Sequence, residues 1–499
     1  MEILDRAATL FGTAPLLRMA DGTLTFSDCN RIAGAIANRL VRMGINSGDV
    51  VAIASPNSPE MALLLLALLK AGIIAAPLNF RFPASLLNAT VARLQPRLCI
   101  TNVATSLLAE SITIDELLDG ISLNTAFHAA SDALSNSDLP ALHFAAKAEM
   151  MRQPVTIIHT SASSGEAKAA VHSFANHWYS ALGSNENLPF GAGDCWLLSL
   201  PLYHIGGYSL LFRALLSGGA LAIAEPHEPL DQSLRTFPLT HLSLVPTQLY
   251  RLLADRESTE HLQNLKAVLL GGSAAPKSLL DEAIRQRIPL YLSYGSTEMS
   301  SQIATTPSPI IARQAHSGKL LLYREMMVAA DGELLVKGNC LFQGYLREGR
   351  VEPQTDDDGW FHTSDIGSIA DDGSLTVVGR KDNMFIAGGE NIHPEEIETA
   401  LLLLDGIVEA LVVPVDDAEY GARPVAFLKT DEAGTPDDAA LDLKMKSLVG
   451  TLKSPTCYYR VEKWATLPGL QKIDRRFYKK LAREGVFLGS AITLLPPDA

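Results

Sequence analysis

Thr160-Ser161-Ala162-Ser163-Ser164-Gly165-Glu166-Ala167-Lys168-Ala169 follows the apolar run Val155 to Ile158. A small, hydroxyl-rich loop after a strand can wrap backbone N–H groups and side-chain hydroxyls around phosphate oxygens, with a lysine to neutralise their charge. Taken alone it has a second reading, because serine-rich loops are usually solvated turns. Apolar helical patterns such as Cys29 to Met43 alternate with β-rich runs such as Val50 to Ala54, Ala267 to Leu270 and Leu334 to Val336. That rhythm predicts α/β layers with largely parallel sheets.

The loop is the first of an ordered series. Leu200-Pro201-Leu202-Tyr203-His204 comes next, then Leu269-Leu270-Gly271-Gly272-Ser273-Ala274, then Tyr294-Gly295-Ser296-Thr297-Glu298. Gly359-Trp360-Phe361-His362-Thr363-Ser364-Asp365, Gly379-Arg380-Lys381-Asp382 and Gln471-Lys472-Ile473-Asp474-Arg475 complete it. In this order the series resembles the adenylate-forming superfamily of acyl-CoA synthetases, luciferase-like enzymes and peptide-synthetase adenylation domains, over nearly the whole chain. The resemblance implies a large amino-terminal body of layered α/β subdomains with mixed sheets, and a small mobile carboxy-terminal α+β domain. It also implies an acid:thiol ligase that makes an acyl-adenylate from a carboxylic acid and ATP, with Mg2+, and passes the acyl group to coenzyme A.

Such chemistry brings two anions together, so a site must neutralise the phosphates, fix the ribose and hold the acid in line with the α-phosphorus. By resemblance, Thr160, Ser161, Ser163, Ser164, Gly165 and Lys168 form the phosphate loop, and Gly272, Ser273 and Gly295 belong to the nucleotide site. Tyr294 lies against adenine, Thr297 bonds the α-phosphate and Glu298 holds magnesium, a hard cation that prefers carboxylate oxygen. Asp365 anchors the ribose, and Arg380 assists at ribose or phosphate. Lys472 is the mobile lysine that bridges acid and α-phosphate, since developing charge is stabilised by a positioned cation. Asp382 matches the hinge, and Gly388 and Gly389 in Ala387-Gly388-Gly389-Glu390-Asn391 line the pantetheine path after rotation. In isolation each of these residues reads as a loop cap, a strand end or a surface lysine.

The local wording narrows the resemblance. His172, Asn176-His177-Trp178, Trp196 to His204 and Ser243-Leu244-Val245-Pro246-Thr247-Gln248 are similar to the o-succinylbenzoate:CoA ligases of menaquinone biosynthesis. His204 then shapes the acyl pocket. Arg213 sits in the apolar run Tyr208 to Leu216, where a buried guanidinium needs an anionic partner. That partner is either the second carboxylate of the substrate or an internal acid in a structural ion pair. Other readings are a ligase of the same fold for an aryl or medium-chain acid, or a nucleotide-binding relative with a decayed phosphate loop. Ala162, Ala167 and Ala169 depart from the glycine, proline and glycine usual there.

Composition bounds the remainder. A chain of 499 residues suggests about three units. A boundary near Lys381-Asp382 divides it into 1–381 and 382–499. With Lys+Arg 41 against Asp+Glu 55, the charge of -14 repels a polyanion, so nucleic acid is not an expected partner. Five scattered cysteines without Cys-x-x-Cys spacing support neither a disulfide frame nor a zinc site and suit a reducing cytoplasm. Met1 to Asp5 is acidic, unlike a secretory signal. Met61 to Leu78, broken by Lys70 and Gly72, reads as a buried helix and strand and not as a membrane span. Homo-oligomerisation is left open.

Overall fold

The computed structural model describes residues 3–102, 111–121, 148–160, 168–272, 275, 277–312, 316–388, 390–417, 419–431, 437–467, 472–484 and 491–492. Two large mixed sheets dominate the first 352 residues. The eight-stranded one runs, in spatial order, Arg350–Glu352, Gly344–Arg347, Ala169–Ser173, Pro154–His159, Ile74–Leu78, Val50–Ala54, Leu98–Thr101 and Ser111–Thr113. The nine-stranded one is centred on the parallel strands Leu290–Ser296, Ala267–Leu270, His241–Leu244, Cys195–Leu197 and Ala220–Ala222.

Side chains alternate across a strand, so a strand covered on both faces must be apolar at every position. Val51 and Ile53 face a core shared with the helices Ile3–Phe11, Phe26–Arg42, Pro59–Ala71, Phe174–Asn187 and Ile205–Ser217, and with Trp196 and Leu221 of the other sheet. Ala52 and Ala54 point the other way, towards Leu87 and Val91 of the helix Ala84–Leu94. The five helices therefore lie between the two sheets. Pro59–Ala71 shows why the chain is helical there. Ser58 caps it by accepting the Met61 N–H, Pro59 starts it, and Gly72 ends it in the left-handed region with φ 70. Met61 through Leu69 are all buried, as an all-round apolar helix requires. Among the described residues, no helix is long and apolar enough to cross a membrane.

Only part of the sheet area is parallel. Both margins of the nine-stranded sheet and one margin of the eight-stranded sheet are antiparallel, and a third sheet, Arg324–Val328, Glu333–Gly338, Phe361–Ile369 and Leu375–Arg380, is antiparallel throughout. Tight connections account for it. Ala370 to Gly373 is a turn with Gly373 at φ 82, which returns the chain beside itself and leaves no room for a crossover helix.

After the short helical turn Lys381–Asn383 a smaller lobe begins. It contains the ribbon Phe385–Ala387 with Glu390–Ile392, a four-stranded sheet led by Ile407–Asp417 and Gly421–Thr430, and the helices Pro394–Leu401, Asp438–Val449 and Arg475–Glu484. It has core clusters of its own, one around Ile397, Leu428 and Met445 and one around Val413, Phe427 and Tyr478.

Candidate active site

In parallel sheets, ligands collect outside the carboxyl ends of the strands. Those ends carry Ser199 to His204, Gly271-Gly272 and Tyr294 to Glu298. The strand Leu290–Ser296 turns back into Ser301–Thr305 so tightly that a Cβ at Gly295 would lie 2.1 Å from the Ser301 carbonyl oxygen. Ser300 and Ser301 accept left-handed backbone, with φ 54 and 114, to make that return.

The turn projects Thr297 and Glu298 and is held from three sides. His172 Nε2 donates to the Thr297 carbonyl at 2.7 Å, the Phe342 N–H donates to the Glu298 carbonyl at 2.7 Å, and the Tyr345 hydroxyl donates to Glu298 Oε1 at 2.6 Å. Burial pushes the His172 pKa down to about 4, so at neutral pH it is an uncharged donor.

Asp365 is reached from the third sheet, where it pairs in register with Arg380. Arg380 Nη1 donates to Asp365 Oδ1 at 3.2 Å, and the Tyr294 hydroxyl donates to Asp365 Oδ2 at 2.5 Å. Burial raises the Asp365 pKa, Tyr294 and Arg380 oppose that, and the charge of Glu298 adds to it. The two carboxylates therefore share one electrostatic environment. Ser364, just before Asp365, has φ 59, and its N–H is held by Glu333 Oε1 at 2.9 Å. Lys381 also binds Glu333, at 2.9 Å, so one buried carboxylate braces both the turn before Asp365 and the residue before Asp382.

Thr160 and Lys168 close the neck of the serine-rich loop. The Thr160 N–H donates to the Lys168 carbonyl at 2.9 Å, and the Lys168 ammonium lies 5.0 Å from the centre of the Tyr345 ring. Ser161, Ser163, Ser164, Gly165, Ser273 and Gly389, with Ala162 and Ala167, lie outside the described residues. Gly272 has φ 87 and backs onto Val245.

Lys472 comes from the small lobe. Its carbonyl accepts from the Leu467 N–H at 2.9 Å, and three residues on Arg475 ties the segment to that lobe through Glu398 at 2.7 Å and the Val412 carbonyl at 2.6 Å. Lys472 keeps solvent contact, but crowding by protein and then the charges of Arg380 and Arg475 lower its pKa, with Asp365 acting the other way. Asp382 accepts from Arg380 Nη2 at 3.0 Å. Gly388, at φ 55, packs on Tyr420 and Leu452 of its own lobe.

His204 caps the helix Ile205–Ser217 by position only, without a side-chain bond. Burial, then the charge of Arg81, push its pKa down to about 4. Arg213 on the same helix is 1% exposed. Its Nη2 donates to Gln302 Oε1 at 2.5 Å and its guanidinium stacks 5.0 Å from the Trp196 ring, while Nε and Nη1 find no partner. Among the described residues no carboxylate pairs with Arg213, and the charge that acts on it is the like charge of Arg324. Burial pushes its pKa down to about 9, still well above neutral.

Sequence reasoning passed over Tyr345, Glu333 and Gln302. A tyrosine after a glycine, or a lone glutamate or glutamine in a strand, has no spacing signature. Their roles come from strands that are adjacent in space and distant along the chain.

The sequence profile described as AMP-binding enzyme matches residues 4–346. The chain belongs to this family. The 2-succinylbenzoate--CoA ligase of Salmonella typhimurium is 34% identical over 473 residues, covering 93% of this chain and 94% of that protein. The Geobacillus kaustophilus 2-succinylbenzoate--CoA ligase is 32% identical over 488 residues, with 94% and 96% covered. Among solved AMP-binding structures, Bacillus subtilis o-succinylbenzoate CoA synthetase (MenE) with the acyl-adenylate intermediate OSB-AMP superposes with TM-score 0.81 at 27% identity, covering 96% of this chain and 98% of that one. The same enzyme with ATP and magnesium ion gives 0.80 at 27% identity, covering 95% and 98%. The layered body and smaller lobe are thus the adenylate-forming fold.

A magnesium site in this family has to be compatible with the donors present. Among the described residues no group of three or more histidine, cysteine or acidic side chains converges as a metal cage. Glu298, with one oxygen engaged by Tyr345, offers a single carboxylate. That suits magnesium, which keeps its waters and is shared with substrate phosphates.

Proposed function

We propose that this chain is an ATP-dependent 2-succinylbenzoate:CoA ligase, which forms the acyl-adenylate and then the acyl-CoA thioester. The observation that supports the reading is the run of contacts that joins Lys168 to Tyr345 and Glu298, and Tyr294 to Asp365 and Arg380, drawn from distant parts of the chain. Asp365 accepts from the ribose hydroxyls, exchanging its Tyr294 bond for substrate, and Tyr294 lies against the base. Thr160, Lys168, Gly272, Gly295 and Thr297 serve the phosphates. Glu298 would hold magnesium together with the phosphates, and the ion would supply charge neutralisation at the transferring phosphoryl group.

Lys472 bridges the acid carboxylate and the α-phosphate, stabilising charge that grows as the carboxylate attacks phosphorus and pyrophosphate leaves. The small lobe, residues 382–499, then turns about Asp382, withdraws Lys472 and brings the Gly388-Gly389 turn to the cleft for the thiol. His204, neutral, shapes the acyl pocket.

The choice of acid rests on Arg213. A buried cation with two unsatisfied donors and no acidic partner among the described residues is costly unless an anion reaches it, and 2-succinylbenzoate carries one carboxylate to activate and one to spare. A cytoplasmic setting is supported by five free cysteines.

Acid-dependent exchange of pyrophosphate into ATP, run over a panel of acids with thioester formation in parallel, tests the reading. Exchange and thioester with 2-succinylbenzoate are expected. Turnover of benzoates or medium-chain acids alone would move the substrate, and no exchange with any acid would mark a nucleotide-binding relative.

A further inference from the structure

Tyr345 is 4% exposed and lies in the strand Gly344–Arg347, which pairs directly with Ala169–Ser173, the strand that leaves the serine-rich loop. Its register partner is Ala170, two residues after Lys168. This places one phenol against two charged groups from unrelated segments. The ring lies 5.0 Å from the Lys168 ammonium, and the hydroxyl donates to Glu298 Oε1 at 2.6 Å. The ring itself is fixed edge-on against Phe342, whose own N–H holds the Glu298 carbonyl. Both ends of Glu298 are therefore set by the single segment Phe342 to Tyr345.

We infer that Tyr345 is a positioning residue that fixes the Glu298 carboxylate for the divalent cation and registers it against Lys168. A carboxylate has about four acceptor sites, so Oε1 can keep the phenol bond while Oε2 faces the cation. A charge-assisted bond of this kind also removes side-chain freedom that the glutamate would otherwise lose on binding metal. The inference rests on the proposed function insofar as Glu298 serves a nucleotide-bound cation.

Tyr345→Phe removes the hydroxyl and keeps the ring that packs on Phe342. Binding of Mn2+ in the presence of ATP is read by electron paramagnetic resonance, and binding of ATP in EDTA by calorimetry. The expected result is Mn2+ affinity weakened on the order of tenfold, with ATP binding in EDTA unchanged and the KM for Mg2+ raised more than kcat is lowered. Unchanged or tighter Mn2+ binding in the variant overturns the inference alone, as does parallel loss of ATP binding in EDTA, which would make the hydroxyl a structural prop. An unmodified chain without cation-dependent ATP binding would sink the proposed function as well.

Discussion

At the scale of single residues, the site is built from groups whose charge state is set by burial. Arg213 is the sharpest case. Its stacking on Trp196 and single bond to Gln302 leave two donors for an anion. Arg213→Gln should raise the KM for 2-succinylbenzoate on the order of a hundredfold while leaving the KM for ATP near its original value, as expected when a desolvated charge pair is lost. Steady-state kinetics with each substrate varied in turn would check this, and an equal rise for both would contradict the assignment. The arginine was legible in the sequence as a charge in an apolar helix. Whether an internal acid answered it was not, because that depends on which strand ends lie opposite.

Elements owe their form to local signals that the sequence displays openly. The helix Pro59–Ala71 has its cap, its starting proline and its terminating glycine in order, and its uniformly apolar middle says that it is covered on all sides. Leu65→Ala should therefore destabilise the protein by about 2–5 kcal/mol, and Ser58→Ala by about 1 kcal/mol, measured by chemical denaturation. Equal effects from the two would mean that the helix is less enclosed than its burial indicates. In the third sheet the run Leu334 to Val336 was visible in the text, but the antiparallel direction was not. Strand direction depends on the return path, which composition does not encode. Even so, the sheet carries Asp365 and Arg380.

Over the whole molecule, the proposed function has the small lobe complete the nucleotide site, and on that proposal the half-reactions should separate there. Lys472→Ala is expected to reduce acid-dependent pyrophosphate exchange by about 10²-fold or more, while thioester formation from preformed acyl-adenylate stays within a few-fold of the unmodified chain. Equal loss in both assays would place the lysine outside adenylation. Stability should also depend on pH in a defined direction. His159, His172 and His204 have folded pKa values pushed down to about 4 from an ordinary 6.5, and His177 lies well below its ordinary value. Each is neutral in the fold, so its contribution is fully present above pH 6.5 and lost as pH falls towards 4. For a fully buried histidine such as His172 the loss is on the order of 3 kcal/mol. Thermal unfolding followed from pH 7.5 to 4.5 should show a marked fall in midpoint, smaller in a His172→Gln variant.

The sequence by itself determined which residue types were available and in what order: a serine-rich loop with Lys168, Thr297 beside Glu298, Asp365 before Arg380, and Lys472 near the end. It could do so because local periodicity, caps and short motifs are written in neighbouring residues. Only the tertiary structure decided that Glu298 and Asp365 share one field, that Tyr345 links Glu298 with Lys168, that Glu333 braces the backbone before Asp365 and before Asp382, and that Arg213 meets an amide in place of an acid. Those outcomes depend on which strands become neighbours. Strand pairing joins segments 100 residues or more apart through hydrogen bonds and packing, and neither partner's sequence specifies the other alone.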